Sequence, residues 1–87
     1  MHLRNYLDEA PRGTAGTIAK SLDVSPVMVT QWANGVKEVP AERCAPIEEA
    51  TGRAVMRWDL RPDDWHKIWP ELVRAKGAPK VPAEQGA

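Results

Sequence analysis

The interval Asp23-Val24-Ser25 constrains this chain more than any other feature. On its N-terminal side Ala15, Ile18, Ala19 and Leu22 fall at i, i+3, i+4 and i+7, the spacing that lays apolar side chains along one helix face. On its C-terminal side Ser25-Pro26 opens a second helix. Serine offers an oxygen to an orphan backbone N–H, and proline at the first helical position gives up only an N–H that had no intrahelical partner. Three residues are too few for anything but a tight turn, so the two helices must leave it steeply and share one core. Ala19 is the small side chain such a crossing needs. Ile18 and Leu22 face inward, Val24 plugs the turn, and Val29 and Trp32 pin the second helix. Asp23 stands where glycine is usual, and Asp tolerates the left-handed backbone better than most residues.

The rest of the chain reads as helix as well. Leu3, Tyr6, Leu7 and Ala10 predict a first helix, ended by Pro11-Arg12-Gly13, and Thr14 is the expected N-cap of the second. Gly35 closes the third after Asn34. Pro40 opens a fourth helix with Cys44, Ile47 and Ala50 inward. Pro46 inside it removes one backbone hydrogen bond and should kink it, and Thr51-Gly52 ends it. Ala54-Val55-Met56 reads as briefly extended. Pro62-Asp63-Asp64 starts a short last element with Trp65, Ile68 and Trp69 on one side, broken near Pro70. The fold class is therefore all-α, with four helices and a short C-terminal element. One domain spans residues 1–76, and "GAPKVPAEQGA", residues 77–87, has no periodicity and reads as a disordered tail.

Size and composition remove several function classes. A chain of 87 residues builds one small core and no roomy catalytic cleft. Cys44 is the single cysteine, which excludes an intramolecular disulfide and a cysteine-built zinc site; no metal or other cofactor is expected. Asp8 and Glu9 stand where a signal peptide would be apolar, and no run is long enough to span a bilayer, so a cytoplasmic protein is expected. Twelve basic residues balance twelve acidic ones. Up to Lys37 the bases Arg4, Arg12, Lys20 and Lys37 exceed Asp8, Glu9 and Asp23 by one, so charge alone does not favour nucleic acid.

The pattern of the third helix is more informative. With about 100° of rotation per residue, Val29, Trp32 and Ala33 share the buried face. Val27, Thr30, Gln31 and Asn34 lie opposite, with Met28 on the flank. In a DNA major groove Gln pairs bidentately with adenine, Thr bonds either partner, and Val or Met rests on a thymine methyl. The expected base contacts are Val27, Met28, Thr30 and Gln31. The expected phosphate contacts are Thr14 and Thr17 at the start of the second helix, with Ser25, Asn34, Lys37 and Arg12. The plain alternative is a helical hairpin that reads nothing.

The segments "IAKSLDVSPVMVTQWANG", "VPAERCAPIEEATG" and "LRPDDW", in that order between Ile18 and Leu72, resemble the Cro/CI-type helix-turn-helix regulators, and among them the YdaS-like branch of prophages and bacterial genomes. The resemblance implies a compact five-helix, lambda-repressor-like domain with a helix-turn-helix formed by helices 2 and 3. It implies a sequence-specific transcriptional regulator, bacterial or phage-encoded and nucleoid-associated, that binds double-stranded operator DNA as a homodimer in the manner of a Cro repressor. An antitoxin-like protein acting through contact with a protein partner is the alternative.

Other conspicuous residues have structural readings. Trp58, Trp65 and Trp69 are expected to cover helices one and four, or else to form a dimer interface. Asp63 and Asp64 suit the positive end of a helix. Arg61 is expected to bond a neighbouring carboxylate such as Glu49 or to fasten the "LRPD" turn. His66 beside Asp63 and Asp64 has no nucleophile or pocket to serve, so no enzymatic activity is expected.

Overall fold

Proline, glycine and one aspartate mark most of the helix boundaries. The computed structural model describes residues 1–81. Helix α1 runs Leu3–Glu9, α2 Thr14–Leu22, α3 Pro26–Ala33 and α4 Ala41–Ala50; two short helices follow, α5 Arg57–Leu60 and α6 Trp65–Ile68, and then a single 3-10 turn, Pro70–Leu72. All regular structure among the described residues is helical, as the sequence predicts, but there are six α-helices rather than the five implied by the resemblance. The additional one is α5. It is too short to show a periodicity, and two carboxylates hold its start: Asp59 accepts the Met56 N–H at 2.9 Å, and Glu48, from α4, accepts the Arg57 N–H at 3.2 Å.

Two further expectations are corrected. Thr14 is not the N-cap of α2: Gly13 occupies that place at φ 93°, and Thr14 is the first helical residue. Its hydroxyl donates to the Pro11 carbonyl at 2.7 Å. Ala50 does not face the core. It is exposed, and α4 turns Glu48 inward beside Cys44 and Ile47, because the Glu48 carboxylate is needed at the start of α5. Pro46 lies inside α4 on the exposed side, within a helix that continues to Ala50.

The turn between α2 and α3 forms as read. Asp23 takes the left-handed conformation at φ 58°. The Val24 N–H then reaches back to Ala19 O at 2.9 Å and the Asp23 N–H to Lys20 O at 3.3 Å, the bonding pattern of a Schellman stop. Arg43 adds a bond from α4, its Nη1 donating to Leu22 O at 2.7 Å. Among the elements, α2 packs most extensively against α3.

Two apolar clusters result. The main core takes Leu3 from α1, Ile18, Ala19 and Leu22 from α2, Val29 and Trp32 from α3, and Cys44 and Ile47 from α4. Trp65, Leu72 and Val81 are buried in a separate cluster, with Trp58 set edge-on to Trp65 at 5.7 Å between ring centroids. The C-terminal tryptophans thus build a cluster of their own instead of covering α1 and α4, and Trp69 alone of the three also packs on the main core. Ala78 and Val81 join this second cluster, and residues 82–87 of the expected tail lie outside the described residues. No described helix is long and apolar enough to cross a membrane.

Candidate nucleic-acid interface

Both ends of α3 are fixed by local bonds. At its start Ser25 Oγ accepts the Met28 N–H at 3.2 Å, with Pro26 as the first helical residue. At its end Gly35 sits at φ 75°. The Val36 N–H bonds to Gln31 O at 2.9 Å and the Gly35 N–H to Trp32 O at 3.3 Å, a second Schellman stop. Between them Val29 is fully buried, Trp32 is 7% exposed, and Ala33 is buried. Rotation about the axis leaves Val27 63% exposed, with Thr30 and Asn34 also exposed and Met28 and Gln31 half-buried. The Thr30 hydroxyl donates to Pro26 O at 3.2 Å, so what it turns outward is a methyl group and an acceptor.

The six residues expected to meet phosphate fall into two groups. Ser25, Asn34 and Lys37 stand at the two ends of α3, and all are exposed. The Ser25 oxygen is engaged as a cap acceptor, which leaves its O–H to donate outward. Arg12, Thr14 and Thr17 lie around the start of α2. Arg12 is exposed, whereas the Thr14 and Thr17 hydroxyls donate back to Pro11 O and Gly13 O, the latter at 3.2 Å. The Gly13 cap provides no side-chain acceptor for the first turn of α2. Orphan N–H groups at such a terminus attract anions.

Sequence spacing did not select three residues that form or support this face. Arg4 on α1 donates through Nη1 to Asn34 Oδ1 at 3.0 Å. Only its i, i+4 relation to Asp8 was legible, because Asn34 lies thirty positions away. Val36 is 67% exposed just beyond α3, an apolar side chain in a loop where none is needed for packing. Arg43, through its bond to Leu22 O, braces the α2–α3 turn from behind.

The remaining charged groups hold the scaffold. Arg61 donates to both oxygens of Asp64, Nε to Oδ1 at 3.0 Å and Nη2 to Oδ2 at 2.7 Å; it also bonds Val39 O at 2.7 Å and Glu38 Oε1 at 3.1 Å. It therefore fastens the turn before α6, as expected, with Glu38 rather than Glu49 as its second carboxylate. The hydrogen bonds from Arg61 hold the Asp64 carboxyl below its ordinary range, and the same bonds raise the guanidinium. Asp64 stands at the N-cap of α6 without capping it, since its oxygens go to Arg61. Burial pushes the Cys44 thiol up to about 11, and its Sγ lies 3.4 Å from Pro40 O. Both His66 ring nitrogens are buried and have no hydrogen-bond partner among the described residues, and the ring stands edge-on to Trp65 at 5.8 Å. No three His, Cys, Asp or Glu side chains converge as a metal site among the described residues.

The family described as bacterial toxin YdaS matches residues 10–68, well over half of the chain, and the chain belongs to that family. One curated relative, from Escherichia coli K12, is named "Putative transcriptional regulator YdaS" and is 50% identical over 54 residues. That stretch covers 61% of this chain and 55% of the relative, so the chain spans about half the length of the curated protein it matches.

Proposed function

We propose that this chain is a sequence-specific DNA-binding transcriptional regulator of the Cro-like repressor type, with α2 and α3 acting as a helix-turn-helix and α3 entering the major groove. The observation that carries this reading is the division of α3. One face is locked into the core by Val29 and Trp32, and the other presents Val27, Thr30, Gln31 and Asn34 between two rigidly capped ends. Such a face discriminates bases by Gln and Thr hydrogen bonds and by methyl contact, without Arg on guanine. The name of the Escherichia coli relative supports a regulatory role. A homodimer on DNA would place two copies of α3 in half-sites about 34 Å apart. With zero net charge, binding should show a shallow dependence on salt.

Selection of binding sites from random duplexes by the purified chain tests this directly, and a palindromic consensus is the expected result. Gln31→Ala and Thr30→Ala should each weaken binding to the selected duplex by roughly ten-fold or more, with the thermal unfolding midpoint unchanged. Unaltered binding by both variants would refute a base-reading role for α3.

A second reading, action through contact with another protein, is favoured by the exposed Val27 and Val36 and by the word toxin in the family's description. It expects loss of partner capture in Val27→Ser or Val36→Ser and no consensus from the duplex selection.

A further inference from the structure

Asn34 follows α3 directly, and its exposed amide lies at the edge of the outer face. An amide has two unlike ends: its oxygen only accepts and its nitrogen only donates. Which end faces outward decides what can bind, because a phosphate oxygen is solely an acceptor. Arg4 makes that choice. Its Nη1 donates to Asn34 Oδ1 at 3.0 Å, while Asp8 holds the guanidinium through Nε at 3.1 Å and Nη2 at 3.0 Å. With the oxygen engaged, Nδ2 is the end left over, and it donates to nothing among the described residues. The guanidinium also stands beside the C-terminal end of α3, where the helix dipole favours a cation.

We propose that Arg4 is a positioning residue for the DNA backbone: together with Asp8 it holds the Asn34 oxygen toward α1, so that Nδ2 presents its donors to a phosphate flanking the groove that α3 reads. The proposal rests on the DNA-reading function above. It extends the interface to α1, which lies outside the α2–α3 pair.

The test compares the full chain with Arg4→Ala, Asn34→Ala and the double variant on two probes, the duplex selected by the wild type and a mixed-sequence duplex of equal length. Phosphate contacts carry no sequence information, so each single variant should weaken both duplexes by a similar factor, about ten-fold for one charge-assisted bond. The double variant should bind within two-fold of Asn34→Ala, because Arg4 acts through Asn34. In the free protein, Arg4→Ala should shift the NMR signals of the Asn34 side-chain amide while the backbone amides of Val29 and Trp32 stay in place. Arg4→Lys, which keeps the charge but lacks the planar fork that bonds Asn34 and Asp8 together, should give a smaller loss in the same direction and covers the case in which Arg4→Ala folds poorly. Losses that add in the double variant would mean that Arg4 meets the duplex itself. They would overturn the proposal, as would wild-type affinity in Arg4→Ala, and either leaves the DNA reading standing. Failure of the wild type to bind either duplex overturns that reading and the proposal with it.

Discussion

The α2–α3 pair and the region from α5 onward are built by opposite means. In the first, two helices of eight and nine residues are stopped by backbone bonds within a few positions of each end, and their apolar faces meet in one core. In the second, four-residue helices are held by side-chain contacts between residues far apart in the sequence: Glu48 to the start of α5, Arg61 to Glu38 and the Val39 carbonyl, and Arg57 over the ring of Trp69 at 5.4 Å. Helices this short do not persist on local propensity, so their order is tertiary. The contrast explains how a surface helix with no basic residue can still hold four side chains in one arrangement, since α3 is held by its capped ends and by the main core and owes little to the C-terminal cluster.

Truncating a tryptophan on each side tests that division and should give the largest effects. Trp32→Ala removes an anchor of the main core and should cost about 3–5 kcal/mol, read in denaturant melts, with hydrogen-exchange protection falling throughout the chain. Trp65 is 1% exposed, yet Trp65→Ala should deprotect mainly residues 57–75 and leave the α2 and α3 amides protected. Uniform deprotection in both variants would show a single cooperative core.

Arg61→Ala should come next, at about 2 kcal/mol, since it strips partners from Val39 O, Asp64 and Glu38. Its effect depends on pH. The Asp64 carboxyl is depressed in the folded chain by the Arg61 bonds, so the pairing stabilises the fold above the ordinary aspartate range and is lost as pH falls through the lowered value. Wild type and variant should therefore converge in acid unfolding curves below the ordinary aspartate range. A constant offset down to the lowest pH would place the contribution in the Val39 bond instead.

The smallest effects belong to the α2–α3 turn. Ser25→Ala should cost about 1 kcal/mol through the lost cap. Asp23→Gly should stabilise by up to about 1 kcal/mol, because glycine adopts φ 58° without a Cβ penalty. Thermal unfolding measures both, and a destabilised Asp23→Gly would reveal a role for the carboxylate beyond backbone tolerance.

The same division governs what could be read from the residues. Val29, Trp32 and Ala33 as the buried face, Ser25 as a cap, Asp23 as a left-handed residue and Gly35 as a stop are all consequences of short-range geometry, and each was legible. Thr14 misled because its neighbour Gly13 can take φ 93°, which lets the helix start one residue earlier than a threonine cap would. Ala50 and α5 misled together. Glu48 faces inward to bond Arg57 nine positions away, a pairing that no apolar periodicity records. At the candidate interface the outer residues of α3 followed from rotation alone, whereas the Arg4–Asn34 bond joins positions that only the packing of α1 on α3 brings together.

The position of Cys44 bears on how the chain ages. Its side chain is fully buried and its thiol is held protonated well above neutral pH. The attacking species in oxidation and disulfide exchange is the thiolate. While folded, the molecule therefore keeps its one thiol out of the redox chemistry around it, whether its surroundings are oxidising or reducing. Only a chain that has opened its core can form a sulfur bridge to a second copy, so covalent dimers in an old preparation would record past unfolding rather than a native assembly.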